Sequence, residues 1–243
     1  MRVTVLGCSG SYAAPGTACT GYLVQTAGKN VLLDCGPGVL ANLQRHLPLE
    51  QLDAVVVTHS HADHWVELPI LRTVCTWFIG RSQLPVFGTD ETHTMSNAVC
   101  GGSDPNAFAW QVIDEHSIVE IGSQRWTFSR TDHPVETLAV RVECDGRSFA
   151  FSADTGPAWA ADRLVDDVDL LICEASYTHE REPDGIQHLS ARQAGELARD
   201  TRASRLVLTH QLPGADVEAH AVEGAEAFGR PVSVAHEHVV YTV

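Results

Sequence analysis

The chain has 243 residues, of which 44% are hydrophobic and 19% are charged, a composition typical of globular proteins. Its 31 acidic residues outnumber its 16 basic residues and give a formal net charge of −15, without any run of basic residues. This balance weakens a role in nucleic-acid binding, which usually requires a basic patch.

The chain contains no apolar run that approaches the length of a membrane span, and its first residues do not form a signal peptide. Its seven cysteines are odd in number and include no C-x-x-C pair, which favours reduced thiols over a disulfide framework. We therefore expect a cytoplasmic protein that has no membrane partner. The length fits one large domain or two small ones, and no linker separates the halves.

Short apolar runs alternate with glycine-containing turns along the first hundred residues. The short β-branched runs predict strands, and apolar residues at helical spacing predict the helices between them. The predicted strands are Arg2–Gly7, Tyr22–Thr26, Asn30–Cys35, Ala54–Val57 and Pro85–Phe87, and the predicted helices are Val39–His46, Val66–Phe78 and Glu91–Val99.

Five short strand candidates follow a predicted loop at Gly101–Pro105, and two of them are joined by Asp145-Gly146, a strong hairpin signal. Helices and strands then alternate, and a capping box at Ser190 begins one of the helices. The predicted strands are Phe108–Ile113, Ser117–Ile121, Arg125–Thr131, Thr137–Glu143, Ser148–Ser152, Asp169–Cys173, Leu206–Leu208, Val232–Ala235 and Val239–Val243, and the helices are Trp159–Val165, Ser190–Asp200 and Val217–Phe228. Packing these elements in layers predicts an α/β (α+β) fold of two mixed sheets flanked by helices, in one domain spanning residues 1–243.

The segment His59-Ser60-His61-Ala62-Asp63-His64 closely follows the predicted strand Ala54–Val57. Histidine and aspartate are ligands for zinc, manganese or iron, and a loop that leaves a rigid strand directs several side chains at one point. A polar surface loop with chance histidines is the alternative. The order H-x-H-x-D-H within six residues favours a metal site instead.

Four later residues have positions that suit further ligands. His133, Asp154 and His210 each follow a predicted apolar strand, as the first cluster does, whereas His188 precedes the helix cap at Ser190. Each residue taken alone is also typical of a solvated turn. The repetition of a strand followed by a histidine or aspartate favours the first three as metal ligands.

These motifs, in this order, resemble the metallo-β-lactamase superfamily over nearly the whole chain. The resemblance rests on HSHADH at residues 59–64, a later single histidine, SADTG at residues 152–156 and LTH at residues 208–210. The segments CEAS at residues 173–176 and HLSA at residues 188–191 are similar to the ribonuclease Z-like branch. VTVLGCSGS at residues 3–11 and CEASYTH at residues 173–179 look like small actinobacterial enzymes described as atypical class II cyclic-nucleotide phosphodiesterases.

The resemblance implies a four-layer αββα sandwich that holds two divalent metal ions, zinc or manganese, between the edges of its sheets. It implies that three ligands hold each ion and that Asp154 bridges them. By position, the ligands are His59, His61 and His133 for one ion, and Asp63, His64 and His210 for the other. The resemblance also implies that Asp34 braces the metal loop, with an ordinary strand-end turn as the alternative.

The catalytic residues that the resemblance implies are Asp63, as a proton acceptor, and His188, as a proton donor. His188 also lies just before a capped helix start, where an anion is favoured. An imidazole there suits protonation of a leaving oxygen or binding of a phosphate oxygen. Glu174 either orients His188 or faces water at the end of a strand.

The other notable side chains are predicted to take no part in the chemistry. Cys8 and Cys35 have no neighbouring base, and Trp65, Trp77 and Phe78 are more typical of a core or pocket wall than of a base-stacking platform. His236 and His238 alternate on a predicted terminal strand without a third ligand. The remaining histidines are predicted to lie at the surface: His46, His93, His116, His179 and His220.

Two divalent metals about 3.5–4 Å apart share a hydroxide and stabilise the attacking and leaving oxygens of a displacement at phosphorus. We therefore predict a binuclear metal-dependent phosphodiesterase whose metal-bridging hydroxide attacks a small phosphodiester, such as the 3′,5′-cyclic nucleotide cAMP. A homodimer is expected only by analogy.

The main alternative is a ribonuclease Z-like endonuclease that acts on tRNA 3′ ends. The resemblance implies that such enzymes grip RNA with a long arm between the positions of His133 and Asp154, where this chain has only 20 residues. That length and the acidic charge make tRNA an unexpected partner. A hydrolase of another ester and a non-catalytic module remain as further alternatives, but all seven ligand positions are filled.

Overall fold

The computed structural model describes residues 1–102, 106–182, 185 and 187–243. Two seven-stranded sheets pack face to face, with helices on their outer faces, which confirms the predicted sandwich. Part of the loop predicted at Gly101–Pro105 lies outside the described residues. None of the helices in the described ranges combines the length and the apolar character that crossing a bilayer requires.

The strands lie close to their predicted positions. They are β1 Arg2–Gly7, β2 Gly21–Thr26, β3 Lys29–Leu33, β4 Ala54–Val56, β5 Leu84–Gly88, β6 Phe108–Val112, β7 Ile118–Ile121, β8 Gln124–Arg130, β9 Leu138–Cys144, β10 Arg147–Phe151, β11 Leu170–Glu174, β12 Leu206–Thr209, β13 Ser233–Val234 and β14 Val240–Thr242. The first sheet has the order β14-β1-β2-β3-β4-β5-β6, and the second has the order β13-β12-β11-β10-β9-β8-β7. Both sheets are mixed, because β3 to β6 and β10 to β13 are parallel and the other pairs are antiparallel.

The helices lie between strands on the outer faces. They are α1 Val39–Leu43, α2 Ala62–Trp65, α3 Leu68–Trp77, α4 Asp90–Val99, α5 Asp162–Val165, α6 Ala191–Asp200 and α7 Val217–Phe228. The capping box predicted at Ser190 is present, with Gln193 as its partner. The helix predicted at Trp159–Val165 is wrong in its first half, because only Asp162–Val165 is helical.

Alternation along the strands divides the apolar residues among three cores. Val31 and Leu33 of β3 face the core between the sheets, whereas Leu32 faces the core under α1 and α3. Phe149 of β10 likewise enters the central core, whereas Ala150 packs toward α5 and α6. The two sheets therefore share one buried interior, and each has a further apolar layer under its helices.

The hairpin predicted at Asp145-Gly146 is confirmed. The φ angles of Asp145 and Gly146 are 51° and 72°, so both residues lie in the left-handed region. A two-residue turn of this kind matches the twist of the strands that it joins. It connects β9 directly to β10, with Cys144 opposite Arg147.

Two predictions of position are wrong, and a third holds only in part. Trp65 is buried, and Trp77 lines a surface groove, in agreement with the predicted core or pocket wall, but Trp77 and Phe78 are 79% and 77% exposed and neither belongs to the core. His220 is buried instead of lying at the surface. His238 has a φ of 68° and lies in the turn between β13 and β14, so His236 and His238 are not on a strand.

Candidate metal centre

The predicted ligands come together where strands of both sheets end. His59 follows β4, Asp154 follows β10 and His210 follows β12, and β10 to β12 are parallel, so their carboxyl ends meet at one edge. His133 follows β8 of the same sheet. The side chains of His133, Asp154 and His210 are buried, so the alternative of solvated turn residues is wrong for these three.

Part of the early cluster is helical. The sequence predicts a loop after β4, but α2 begins at Ala62 and places Asp63 and His64 on its single turn. His59 and His61 precede this turn, and the His59 ring lies 4.0 Å from that of His64 and 5.0 Å from that of His61. The short helix therefore places His64 directly beside His59 in one group of rings.

The candidate ligand atoms form three overlapping groups in the described part of the chain, each with its atoms within 4.8 Å of one another. The first contains three histidines and a shared carboxylate, and the second contains Asp63 with two histidines. The groups are His59, His61, His133 and Asp154; Asp63, His64 and His210; and Asp154, His188 and His210. The structure thus brings together every residue that the sequence predicts for the site.

Asp154 lies between the first two groups. Its Oδ1 is 3.2 Å from His64 Nε2 and 3.4 Å from His210 Nε2. Its Oδ2 is 3.6 Å from His59 Nε2 and 3.9 Å from His133 Nε2. One oxygen of the carboxylate therefore faces each group.

These residues fit divalent metal. Among the described residues, His59 Nε2, His64 Nε2 and Asp154 Oδ1 are buried without a hydrogen-bond partner. His64 and Asp154 are close, but they are not aligned for a hydrogen bond. Buried polar atoms are normally satisfied, and imidazole and carboxylate donors that converge without bonding to each other suit a cation between them.

The charges of the cluster also favour a cation. Burial lowers the pKa of His59, and the neighbouring His64 lowers it further, which keeps the His59 imidazole neutral as a metal ligand must be. Burial opposes a charge on His64 as well, but Asp154 and Asp34 outweigh it and raise the pKa of His64. The two carboxylates thus stabilise positive charge within the cluster.

Asp34 holds the metal loop from beneath. Its Oδ2 lies 2.7 Å from His64 Nδ1 and accepts a hydrogen bond from Thr58 Oγ1, and its Oδ1 accepts one from Thr58 N. Asp34 is fully buried and has a φ of 59°, a left-handed conformation at the end of β3. It is therefore more than an ordinary strand-end turn, because its side chain fixes which nitrogen His64 directs at the site.

Several supporting contacts were not predicted from the sequence. Ser176 Oγ lies 3.0 Å from His210 Nδ1 and donates to Glu174 Oε2. Ser11 N donates to Asp63 Oδ2 at 2.8 Å. Gly10 packs so closely on His210 that a Cβ would lie 2.5 Å from its carbonyl oxygen. The contacts of Gly10 and Ser11 could not be predicted from the local sequence GCSGS at residues 7–11, because they join residues far apart in the chain.

His188 lies beside the cluster and is held by Glu174. The His188 ring is 5.3 Å from that of His210, and its Nδ1 lies 3.0 Å and 3.1 Å from the two oxygens of Glu174. Glu174 is fully buried, so the alternative in which it faces water is wrong. Burial alone lowers the pKa of His188, but the hydrogen bond and charge of Glu174 outweigh it and raise this pKa to about 9.

Asp132 joins three segments at the edge of the site. Its Oδ1 accepts from Gln187 Nε2 at 2.7 Å, and its Oδ2 accepts from Ala158 N at 3.1 Å. His133 Nδ1 lies 3.1 Å from the Gln187 carbonyl oxygen, which leaves Nε2 directed at the cluster. This set of contacts connects the His133 loop to the segment that carries His188.

The cysteines near the site do not have the character of nucleophiles. Burial, with a contribution from Glu237, raises the pKa of the Cys8 thiol to about 12, and burial also raises the pKa of Cys35. Both residues are therefore thiols at neutral pH, whereas the thiolate is the reactive form. This agrees with the predicted absence of a nucleophilic cysteine at these two positions.

The fold and the His/Asp cluster together define a metallo-β-lactamase-type hydrolase. The profile of the Beta-lactamase superfamily domain matches residues 29–211, so the chain belongs to this family. The chain is 31% identical over 214 residues to the probable metallo-hydrolase YhfI of Bacillus subtilis, with 86% of each protein covered. The crystal structure of YhfI superposes with a TM-score of 0.91 at 27% identity and covers 99% of both chains.

Other relatives agree with the predicted branch of the family. The chain is 32% identical over 250 residues to the uncharacterized protein Rv1339 of Mycobacterium tuberculosis, covering 96% of this chain and 88% of that protein. It is 26% identical over 290 residues to ribonuclease Z of Halorubrum lacusprofundi, covering 94% and 92%. The family and the cluster thus identify the chain as a metallo-hydrolase of the Beta-lactamase superfamily, and its similarity to ribonuclease Z supports the predicted branch.

Proposed function

We propose that this metallo-hydrolase is a binuclear phosphodiesterase that cleaves small phosphodiesters, with a 3′,5′-cyclic nucleotide such as cAMP as its substrate. The observation that carries the proposal is the position of Asp154, whose two oxygens face different histidine groups. His59, His61 and His133 would hold one metal ion, and Asp63, His64 and His210 would hold the other, with Asp154 shared. The donor set accepts zinc or manganese.

The chain's own residues supply the proton transfers. A pair of divalent ions in such a site supplies an activated water and Lewis acidity for an in-line displacement at phosphorus. Burial opposes ionisation of Asp63, but the hydrogen bond with His210 and the charge of His64 outweigh it and lower the pKa of Asp63. Asp63 is therefore ionised at neutral pH, as the proposed proton acceptor must be, and Ser11 N holds it in place.

His188 is the proposed proton donor. Its Nδ1 is bound to Glu174, so its Nε2 is the nitrogen that remains for substrate. With a pKa of about 9, the ring is an imidazolium at neutral pH. It binds a phosphate oxygen and protonates the departing ribose oxygen, which is the general-acid role.

The surroundings of the site favour a small substrate. The 20 residues between His133 and Asp154 form the β9–β10 hairpin and its flanking turns, with no projecting arm. The chain carries a net charge of −15, which repels a long polyanion. The fold is shared with human tRNase Z, short form, at a TM-score of 0.80 and with yeast PDE1 at 0.76, so it favours neither substrate.

The first test addresses the reaction. Protein that is loaded with zinc or manganese and freed of excess metal should hydrolyse bis(p-nitrophenyl) phosphate and contain two metal ions per chain. Asp154→Ala should abolish the hydrolysis and reduce the metal content. Asp166→Ala, which changes an exposed partner of Arg202, is the matched control and should behave as wild type. Full activity of Asp154→Ala would exclude the shared-ligand role.

The second test addresses the substrate. The metal-loaded enzyme should release 5′-AMP from cAMP and leave precursor tRNA intact at the same enzyme concentration. The alternative function is a ribonuclease Z-like endonuclease, which the Halorubrum relative favours. Cleavage of precursor tRNA without turnover of cyclic nucleotides would establish that alternative.

A further inference from the structure

Two histidines that are 192 positions apart in the chain meet outside the candidate metal centre. His46 follows α1, and His238 lies in the turn between β13 and β14. His46 Nε2 lies 2.9 Å from His238 Nδ1, and the two ring centroids are 5.1 Å apart. Neither residue belongs to the three groups of candidate ligands in the metal centre. The pair is therefore a separate cluster of metal-binding side chains.

The backbone anchors both members of the pair to β1. His238 N donates to Val5 O at 2.7 Å, and Val5 N donates to Val239 O at 3.0 Å. On the other side of the pair, Asn42 Nδ2 of α1 donates to Leu6 O at 2.7 Å. One strand thus fixes the two segments that carry the imidazoles, which reduces the conformational entropy that binding a shared ligand would cost.

The rings are accessible from solvent, since His46 is exposed and His238 is half-buried. A proton shared between the two nitrogens accounts for their short distance when no ion is bound. A divalent ion takes the place of that proton when both neutral imidazoles direct a lone pair at it. The ring that donated the proton then carries it on its other nitrogen. Ion binding therefore requires only a change of tautomer and a small rotation of the rings.

The spacing of the two nitrogens indicates which ions fit. At a metal–nitrogen distance of about 2.0–2.1 Å, nitrogens 2.9 Å apart subtend about 90° at the ion, whereas a tetrahedral ion separates its nitrogens by about 3.3 Å. Square-planar and tetragonal coordination, which nickel(II) and copper(II) prefer, provides neighbouring positions at this angle. No third side chain among the described residues joins the pair in a group of ligands, so water completes the coordination.

We propose that His46 and His238 form a second metal site, which binds nickel(II) or copper(II) and is separate from the metal centre. The net charge of −15 favours a cation at the surface. The charges of Arg45 and Arg2, which also act on His46, oppose one. With two protein ligands instead of three or four, this site binds its ion more weakly than the metal centre does.

An ion at this site stabilises a turn that supports the metal centre. Glu237, the neighbour of His238, accepts a hydrogen bond from Ala18 N at 2.9 Å. Ala18 belongs to the loop after β1, and in the same loop Ser11 N donates to Asp63. The second ion therefore fixes the position of the turn at residues 236–239, on which this loop rests.

The test is calorimetric titration of the full-length, zinc-loaded protein, without a histidine tag, with nickel(II). Wild type should bind one nickel ion more per chain than either His46→Gln or His238→Asn. Asparagine is chosen at position 238 because it tolerates the left-handed φ of 68°. His116→Ala, which removes an exposed histidine outside the pair, is the matched control and should bind nickel as wild type does.

Two further measurements identify the ligands. Copper(II) added to zinc-loaded wild type should give an electron paramagnetic resonance signal split by two nitrogens, and this signal should be absent from both variants. Nickel should raise the Tm of wild type and leave that of both variants unchanged, because an ion that binds only the folded pair stabilises the folded chain by mass action.

Equal nickel binding by wild type and both variants, in addition to zinc or in exchange for it, would overturn the proposal and leave the pair as a hydrogen bond. Loss of nickel in only one variant would also overturn it, because both imidazoles are required. Circular dichroism identifies a variant that fails to fold, and His46→Asn or His238→Gln then replaces it.

Discussion

The residues that surround the metal cluster determine which ring nitrogen each of its histidines directs inward. Three histidines each have one ring nitrogen occupied by a partner outside the centre: His64 by Asp34, His210 by Ser176 and His188 by Glu174. The other nitrogen is thereby directed inward. Glu174 and Ser176 are also bonded to each other, so the supports of His188 and His210 form one network.

Glu174→Gln tests this network. The amide keeps the shape of the side chain but removes the charge that favours the His188 imidazolium. We expect kcat for the phosphodiester to fall about 10- to 100-fold, as for other changes to groups that support a site, with KM less affected. The pH at which activity declines on the alkaline side should also fall, because the pKa of His188 drops toward its ordinary value. Glu143→Gln, on the exposed side of β9, is the control and should alter neither quantity.

The elements that carry the ligands were predictable, but their connections were not. A short apolar run followed by histidine or aspartate identifies β4, β10 and β12, because strand period and ligand type are both local properties. Helix α2 has only four residues, so it shows no periodicity, and the sequence predicts a loop there. The exposure of Trp77 was not predictable, because an apolar pattern does not reveal which side of a helix is covered.

Contacts between distant segments escape sequence reasoning for the same reason. Asp132 and Gln187 are 55 positions apart, and nothing local relates them. Gly156 completes their arrangement, since a Cβ there would lie 2.5 Å from Asp132 Oδ2. The turn that carries Asp154 thus packs directly on the contact between the His133 and His188 segments.

Asp132→Ala is expected to loosen the His188 segment. The substitution removes the acceptor for Gln187 Nε2 and Ala158 N, so amide hydrogen exchange should accelerate at residues 157–160 and 187–189. Activity should fall several-fold while the metal content stays unchanged, because Asp132 is not among the candidate ligands. Asp114→Ala, in an exposed turn, serves as the control. Unchanged exchange in Asp132→Ala would refute the positioning role.

At the scale of the whole molecule, the central core and the metal cluster both contain residues from the two sheets. The central core combines Val31 and Leu33 of the first sheet with Phe149 and Ile172 of the second. The metal cluster also combines both sheets. His59 and His64 come after a strand of the first sheet, and the strands of the second sheet are followed by His133, Asp154 and His210. We therefore propose that residues 1–243 form one domain that unfolds as a unit.

Calorimetry with and without metal tests this proposal. The metal-loaded protein should show a single transition whose calorimetric and van't Hoff enthalpies agree. Dialysis against a chelator should lower Tm and keep one transition, because metal that binds only the folded chain stabilises it by mass action. The decrease in Tm should be larger for wild type than for Asp154→Ala treated in the same way, since that variant lacks the shared ligand and has less bound metal to lose. Two transitions, one in each half of the chain, would show that the sheets fold independently and that the metal centre joins two domains.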